Sequence, residues 1–221
     1  MLKTIVTTCP KYEYLIKNFT KLADRFYGRE FEVDVAKNNE KKSDQLLRIL
    51  DGLKDKYYNN QYFILLEEDF YLLDVVKLDV LTKIEEYARV KDFNRFSLQS
   101  RNDYLHTDWD VWGKLSSGEN IFKADDNVRC LFSLEASIWN KHFMRTYLER
   151  GLSDMEIENK MSDKIRGKDY TILALDEPIM KYKDACVGGQ QRIKAGRDGE
   201  LYLLVQGGNG EDKWEYLNIQ I

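Results

Sequence analysis

The stretch Gln61-Tyr-Phe-Ile-Leu-Leu-Glu-Glu-Asp69 decides the fold, because an apolar run is followed at once by three acidic residues. An uninterrupted apolar run between polar neighbours is typical of a strand that is buried on both faces. Such strands belong to parallel sheets that helices cover on either side. The sequence therefore predicts a central strand over residues 61–66, with the carboxylates of Glu67, Glu68 and Asp69 directly beyond its carboxyl end.

The residues before this strand alternate between strand and helix patterns. Residues 2–8 are rich in β-branched side chains, and residues 31–36 alternate like a half-buried strand. Apolar residues at helical spacing predict one helix over 15–26, ending before Gly28, and a second helix that begins at Ser43. The order β-α-β-α-β predicts an α/β fold with a mostly parallel, Rossmann-like central sheet and helices on both faces.

Beyond residue 69 the patterns are less regular. Residues 99–130 are polar and aromatic without a clear period, which predicts an irregular connection. The paired turn signals Asp198-Gly199 and Asn209-Gly210 predict a β-meander at the end of the chain. The other expected elements are helices around 80–87, over 139–148 and after a Ser153/Glu156 capping box, and strands over 93–98, 129–138, 170–175 and 178–182.

Composition excludes several classes of protein. The net charge is −4 and the basic residues form no stripe, so we expect no nucleic-acid partner. No apolar stretch approaches a membrane span, and the apolar run near Met1 is too short for a signal peptide. The three cysteines have no CxxC spacing, which favours a reducing compartment and a cytoplasmic location.

Three adjacent carboxylates repel one another, and in parallel sheets ligands bind at the carboxyl ends of strands. A divalent cation would relieve the repulsion, and Mg²⁺ or Mn²⁺ prefers oxygen ligands together with substrate phosphates. Such an ion would also neutralise a diphosphate leaving group. A solvated acidic turn is the alternative, and phosphatases or nucleotidyltransferases could use the same device.

The segment Tyr62–Phe70 resembles the strand and DXD-type motif of GT-A-fold glycosyltransferases, which use nucleotide-sugar donors. The resemblance implies a Mn²⁺ or Mg²⁺ cofactor with Asp69 as its ligand, helped by Glu67 or Glu68. Glu67 stands where the motif has its first Asp. Residues 4–12 resemble the first strand and loop of the same fold, and this implies that Thr8, Cys9 and Tyr12 contact the nucleotide.

A third match, over residues 134–141 and 151–158, resembles small glycosyltransferases of bacterial surface-polysaccharide clusters and of large DNA viruses of algae. Met155 stands where those proteins have Trp. The resemblance implies that Glu158 is the base that deprotonates the acceptor hydroxyl, and Asp154 shares its helix face. If the protein is viral, its expected location is the host cytoplasm.

Three further basic residues are candidates for the donor site. Arg101 follows the strand expected over 93–98, where it would line the sugar or acceptor pocket. Arg192 and Lys194 follow Gly188-Gly189 and are expected to pair with donor phosphates, with a plain solvated loop as the alternative.

The resemblance implies a metal-dependent, inverting transfer of a sugar from a UDP-, GDP- or dTDP-linked donor to a hydroxyl of a glycan or glycoprotein acceptor. We expect one domain over residues 1–221. It comprises a nucleotide-binding half (1–100), an acceptor and catalytic half (101–190) and the meander (191–221). The alternatives are a nucleotidyltransferase that acts on a sugar phosphate and a non-catalytic carbohydrate-binding protein on the same scaffold.

Overall fold

The computed structural model describes residues 1–53, 61–103, 109–187, 190–195, 199–206 and 212–220. Its helices are α1 (Glu13–Phe26), α2 (Lys42–Gly52), α3 (Leu78–Ala88), α4 (Lys141–Tyr147), α5 (Asp154–Glu156) and α6 (Ser162–Ile165), with a 3-10 turn at Arg101–Asp103 and a π turn at Ile157–Met161. Its strands are β1 (Lys3–Thr8), β2 (Glu32–Val35), β3 (Tyr62–Glu67), β4 (Phe70–Leu72), β5 (Arg95–Ser100), β6 (Trp109–Lys114), β7 (Asn120–Ala124), β8 (Ser137–Asn140), β9 (Ile172–Leu175), β10 (Tyr182–Asp184), β11 (Cys186–Val187), β12 (Gln190–Gln191), β13 (Ile193–Ala195), β14 (Glu200–Gln206) and β15 (Asp212–Gln220).

An eight-stranded sheet with the order β2-β1-β3-β8-β5-β9-β7-β6 forms the centre of the protein. Strand β1 is parallel to β2 and β3, and β5 is parallel to β9. Strand β8 runs antiparallel to both β3 and β5, and β7 runs antiparallel to β9 and β6. The α/β class and the mostly parallel direction of the sheet are therefore confirmed, with β7 and β8 reversed.

The central strand is buried on both faces, as its apolar run predicts. Ile64 belongs to the core that α1 and α3 cover, whereas Phe63 and Leu65 belong to the core under α2 and α4. Every residue from Tyr62 to Leu66 is at most 6% exposed. Because successive strand side chains point to opposite faces, only a run without polar residues can satisfy both cores.

In the first half, α1 ends where the sequence predicts, and α1 and α2 begin within two residues of the expected positions. In α1, Leu15, Phe19 and Leu22 are buried at helical spacing. The chain leaves this helix at Gly28, whose φ of 64° is a left-handed conformation that favours glycine.

The irregular connection expected over residues 99–130 was wrong in part, because this segment contains the β6–β7 hairpin. Strand β7 pairs with β9, and Trp109 anchors β6 in the core. The remainder of β6 is largely exposed, including Val111 and Trp112. With apolar residues on its solvent face, β6 lacks the alternation by which a half-buried strand is recognised.

The expected boundaries around residue 139 were also wrong. The strand predicted over 129–138 is β8, which begins at Ser137, and Trp139 belongs to this strand rather than to the following helix. Asn140 caps α4, because its side-chain oxygen accepts a hydrogen bond from the Phe143 N–H at 3.0 Å. The cap fixes the change from strand to helix two residues later than the apolar pattern indicates.

The strand expected over 178–182 was wrong, because the structure has β10 at Tyr182–Asp184. The N–H groups of Ile179 and Met180 both donate to the Leu98 carbonyl, so this segment follows β5 without a regular ladder. Strands β13, β14 and β15 form an antiparallel sheet, which confirms the β-meander. Asp198, Asn209 and Gly210 lie outside the described residues. Within the described part of the chain, no helix has the length and apolar character needed to cross a membrane.

A buried serine ties α2 to the segment before α5. The Ser43 hydroxyl accepts a hydrogen bond from the Leu152 N–H at 2.8 Å, and the Ser43 N–H donates to the Leu152 carbonyl at 3.1 Å. The expected capping box of Ser153 and Glu156 begins directly after this anchor and is confirmed. The two contacts bring the amino-terminal ends of α2 and α5 to the same place on the sheet edge.

Replacing Ser43 by Ala should destabilise the fold, because the buried Leu152 N–H loses its acceptor. We expect a loss of about 1–2 kcal/mol in the free energy of unfolding, with Tm falling by about 2–4 °C per kcal/mol. Thermal and urea unfolding measure the change. Ser117→Ala, in the exposed turn between β6 and β7, is the matched control. Equal stability of both variants would contradict the anchoring role of Ser43.

Candidate functional site

A cavity of about 230 Å³ lies at the carboxyl ends of β1 and β3, where the amino-terminal ends of α2 and α5 also meet. This is the position at which parallel sheets bind ligands. The residues that line it are Thr8, Cys9, Tyr12, Ala36, Glu40, Lys41, Lys42, Gln45, Glu67, Glu68, Asp69, Ser153 and Asp154.

The predicted nucleotide loop and the acidic motif face the same cavity. Strands β1 and β3 are parallel neighbours with Thr7 opposite Glu67, so the residues after each strand emerge side by side. The Tyr12 N–H donates to the Cys9 carbonyl at 2.9 Å, which turns the chain tightly from β1 into α1. Thr8, Cys9 and Tyr12 therefore lie against the three carboxylates, although the segments are separated by more than fifty residues in sequence.

Glu67 forms an ion pair with Lys42, a residue that the sequence did not single out. The Lys42 ammonium donates to Glu67 Oε1 and, at 2.8 Å, to Thr7 Oγ1. Burial raises the pKa of Glu67 to about 7, against the opposing effect of Lys42 and with a contribution from Asp154. Burial alone would lower the pKa of Lys42, but the charges of Glu67 and Asp154 hold it above its usual value.

Glu68 and Asp69 lie beside this ion pair and do not take part in it. Glu68 is 6% exposed and its pKa is raised chiefly by burial. Burial, followed by the charges of Glu67, Glu68 and Asp184, raises the pKa of Asp69 to about 8. Within the described residues the Asp69 carboxylate has no hydrogen-bond or ion-pair partner. An oxygen donor in this condition is well suited to a hard cation.

Asp184 is the second functional candidate that the sequence did not reveal. Strand β10 pairs with β4 so that Asp184 lies opposite Phe70, and the next N–H, that of Ala185, donates to the Asp69 carbonyl at 2.7 Å. Asp184 is exposed, but partial desolvation by its neighbours raises its pKa, and the charges of Glu135 and Glu158 raise it further. The charge of Asp184 therefore acts on Asp69, and the charge of Glu158 acts on Asp184.

Glu158 lies in the π turn between α5 and α6, beside the segment that leads into β8. Its Oε1 accepts hydrogen bonds from the Ser133 hydroxyl at 3.1 Å and the Leu134 N–H at 3.0 Å. Turns of this type interrupt α-helices at functional sites more often than elsewhere. The two contacts fix the carboxylate through one oxygen and leave Oε2 for another partner.

Asp154 has different surroundings from Glu158, although both belong to the same helical segment. Asp154 is exposed, lines the cavity and is close enough to Glu67 and Lys42 to affect their pKa values. Of the two carboxylates implied for catalysis, Asp154 therefore lies beside the acidic motif, and Glu158 lies beside the segment that precedes β8.

Arg101 lies at the same sheet edge but beyond β8, away from the cavity. It follows β5 directly and forms an ion pair with Asp176, which follows β9. Its guanidinium also lies over the Phe122 ring, 3.9 Å from the ring centroid. These contacts hold Arg101 beside Asp176 rather than against the acidic motif.

Arg192 and Lys194 do not line the cavity. The Lys194 ammonium lies 4.0 Å from the centroid of the Trp214 ring on the meander. The Arg192 N–H donates to the Ala185 carbonyl at 2.6 Å, and Ala185 itself donates to Asp69. The backbone before the meander is thus joined to the acidic motif. Gly188 and Gly189 lie outside the described residues.

Comparison with known proteins adds no family to this description. No protein-family model matches the chain, and no curated protein sequence matches it. The chemical character of the cavity is therefore the basis on which a function can be proposed.

Asp69 and Glu68 could hold a divalent cation together with a bound ligand that supplies further oxygen atoms. In the described ranges, no group of three or more His, Cys, Asp or Glu side chains is arranged to hold a metal ion by itself. Mg²⁺ and Mn²⁺ commonly take only one or two protein carboxylates and fill their other positions with water and substrate phosphates. Asp69, with Glu68 beside it, offers oxygen ligands of this kind, whereas Lys42 already engages Glu67.

Replacing Asp69 by Asn should stabilise the protein at pH 8. The raised pKa means that the ionised carboxylate disfavours the folded state, by an amount that grows as the pH rises from about 4 to about 8. We expect a gain of roughly 1–2 kcal/mol at pH 8, after discounting for solvent. The gain should vanish near pH 3, below the unfolded-state pKa, where Asp69 is protonated in both states.

Thermal unfolding at both pH values measures this difference in the absence of divalent ions. Asp24→Asn, at an exposed position on α1, removes the same charge and is the control. A lower Tm for the Asp69 variant at pH 8 would show that the carboxylate contributes to folding.

Proposed function

We propose that the protein is a metal-dependent glycosyltransferase. It transfers a sugar from a nucleotide diphosphate-sugar to a hydroxyl group of a glycan or glycoprotein acceptor in the cytoplasm. The observation that supports this most directly is the cavity in which Glu67, Glu68 and Asp69, at the end of the central strand, face Thr8, Cys9 and Tyr12.

The residues of the cavity divide into two groups with different chemistry. Thr8, Cys9 and Tyr12 form the side suited to the nucleoside, since they offer a hydroxyl, a thiol and an aromatic ring. Asp69, assisted by Glu68, would hold Mn²⁺ or Mg²⁺ against the diphosphate. The ion would act as a Lewis acid that neutralises the diphosphate as it leaves.

Glu158 is proposed as the general base of an inverting displacement. The acceptor hydroxyl oxygen forms a bond with the anomeric carbon as the bond from that carbon to the diphosphate oxygen breaks. The hydroxyl proton passes to Glu158, and the nucleoside diphosphate leaves with the bonding electron pair. Ser133 and Leu134 would orient the carboxylate by holding Oε1 while Oε2 accepts the proton.

Asp69→Asn should abolish metal-dependent donor binding, because the amide cannot replace the charged ligand. Calorimetric titration of UDP, GDP and dTDP, and of their sugar conjugates, with and without Mn²⁺ measures the effect. Asp24→Asn should bind like the wild type. Unchanged binding by the Asp69 variant would contradict the proposed metal ligand.

Product analysis, together with the same titrations, separates the proposed function from its rivals. A nucleotidyltransferase would turn over a nucleoside triphosphate and release pyrophosphate, whereas a glycosyltransferase releases a nucleoside diphosphate. A non-catalytic carbohydrate-binding protein would bind none of these nucleotides, and its glycan binding would tolerate Asp69→Asn.

Glu158→Gln should lower the rate of transfer by about 10²- to 10⁴-fold, the usual contribution of a general base. The amide oxygen can still accept from Ser133 and Leu134, so the local structure and donor affinity should be retained. Release of nucleoside diphosphate in the presence of an oligosaccharide panel measures transfer. Glu86→Gln, an exposed change on α3, is the control. A fully active Glu158 variant would remove this residue from the mechanism.

A further inference from the structure

Lys42 lies where the acidic motif and the amino-terminal end of α2 meet. Its side chain is 12% exposed, and its ammonium contacts Glu67 and Thr7. Few lysines are this deeply enclosed without a specific partner. The position of Lys42 is also fixed by its neighbour Ser43, whose hydroxyl accepts a hydrogen bond from the Leu152 N–H and so holds the first turn of α2 in place.

The charges around Lys42 do not balance. Besides Glu40, which pairs with Arg48, four carboxylates line the same cavity and interact with its ammonium, those of Glu67, Glu68, Asp69 and Asp154. A diphosphate would be repelled by this set unless cations lie between them. A divalent ion supplies two positive charges. Of the two lysines that line the cavity, Lys41 is exposed, whereas Lys42 is paired with the acidic motif.

The ammonium also retains capacity for a ligand. A lysine ammonium carries three N–H donors. Two of them are used by Glu67 Oε1 and Thr7 Oγ1, the acceptors found among the described residues. The third is available to an acceptor in the cavity, and a phosphate oxygen is the acceptor that best suits a charged donor.

We infer that Lys42 binds the donor diphosphate directly and that Glu67 positions Lys42 instead of ligating the metal. This inference rests on the proposed function. In this arrangement Asp69 would hold the metal, and the Lys42 ammonium would donate to a diphosphate oxygen. The ion pair with Glu67 fixes the position of the Lys42 ammonium before a ligand binds, which lowers the entropy lost on binding.

The test compares nucleosides with their diphosphates. Lys42→Gln should raise the Kd for the best-bound of UDP, GDP and dTDP by about 10- to 100-fold in Mn²⁺, as the loss of a charged hydrogen bond predicts. The affinity for the matching nucleoside should not change, because a nucleoside has no phosphate. Lys42→Arg should restore part of the lost affinity, since it keeps a cationic donor.

Lys17→Gln removes the same charge from an exposed position on α1 and is the control. Thermal unfolding establishes that each variant is folded before titration. Wild-type binding of a diphosphate together with unchanged binding by Lys42→Gln would overturn the role of Lys42 and leave the proposed function standing. An equal loss of nucleoside and diphosphate affinity would also overturn it. Failure of the wild type to bind any of the diphosphates would instead overturn the proposed function.

Discussion

The burial of β3 on both faces is the constraint on which the rest of the structure depends. A strand without a polar face must have a helical layer on each side and a hydrogen-bonded neighbour along each edge. Strand β1 supplies one edge and β8 the other. The chain can become polar only where β3 ends, so Glu67, Glu68 and Asp69 emerge between the loop after β1 and the segment before β8. The position of the candidate site follows from the packing of the core.

Repulsion among the carboxylates of the cavity destabilises the folded state, whereas the packed core around β3 stabilises it. These carboxylates are crowded and partly desolvated, and the ion pair of Lys42 with Glu67 offsets only part of their repulsion. Groups with strongly shifted pKa values cluster at functional sites, where a ligand rather than the fold provides the compensating charge. The stability that the two hydrophobic cores on either side of the sheet provide can offset this repulsion.

The first half of the fold and most of the acidic cavity could be predicted from the sequence, because their signals are local. The apolar run of β3 and the helical spacing in α1 each identify an element, and the carboxyl-end rule then places the acidic motif. The β6–β7 hairpin could not be predicted, because its strands depend on pairing with β9 and its apolar side chains face solvent. Lys42 and Asp184 were missed for a related reason: nothing near them in sequence marks them, and only pairing of β10 with β4 brings Asp184 to Asp69.

The place of β8 in the sheet has a consequence for how the chain acquires its structure. Strand β3 and strand β5 are separated by β8, although β8 comes some forty residues after β5 in sequence. During synthesis, β1, β2 and β3 can pair once residues 1–67 have been made. The edge of β3 opposite β1 stays unpaired until residues 137–140 have been made. An unpaired hydrophobic edge is prone to association with other chains. A fragment that ends near residue 100 would present this edge permanently, so the two halves that share the site are expected to depend on each other for solubility.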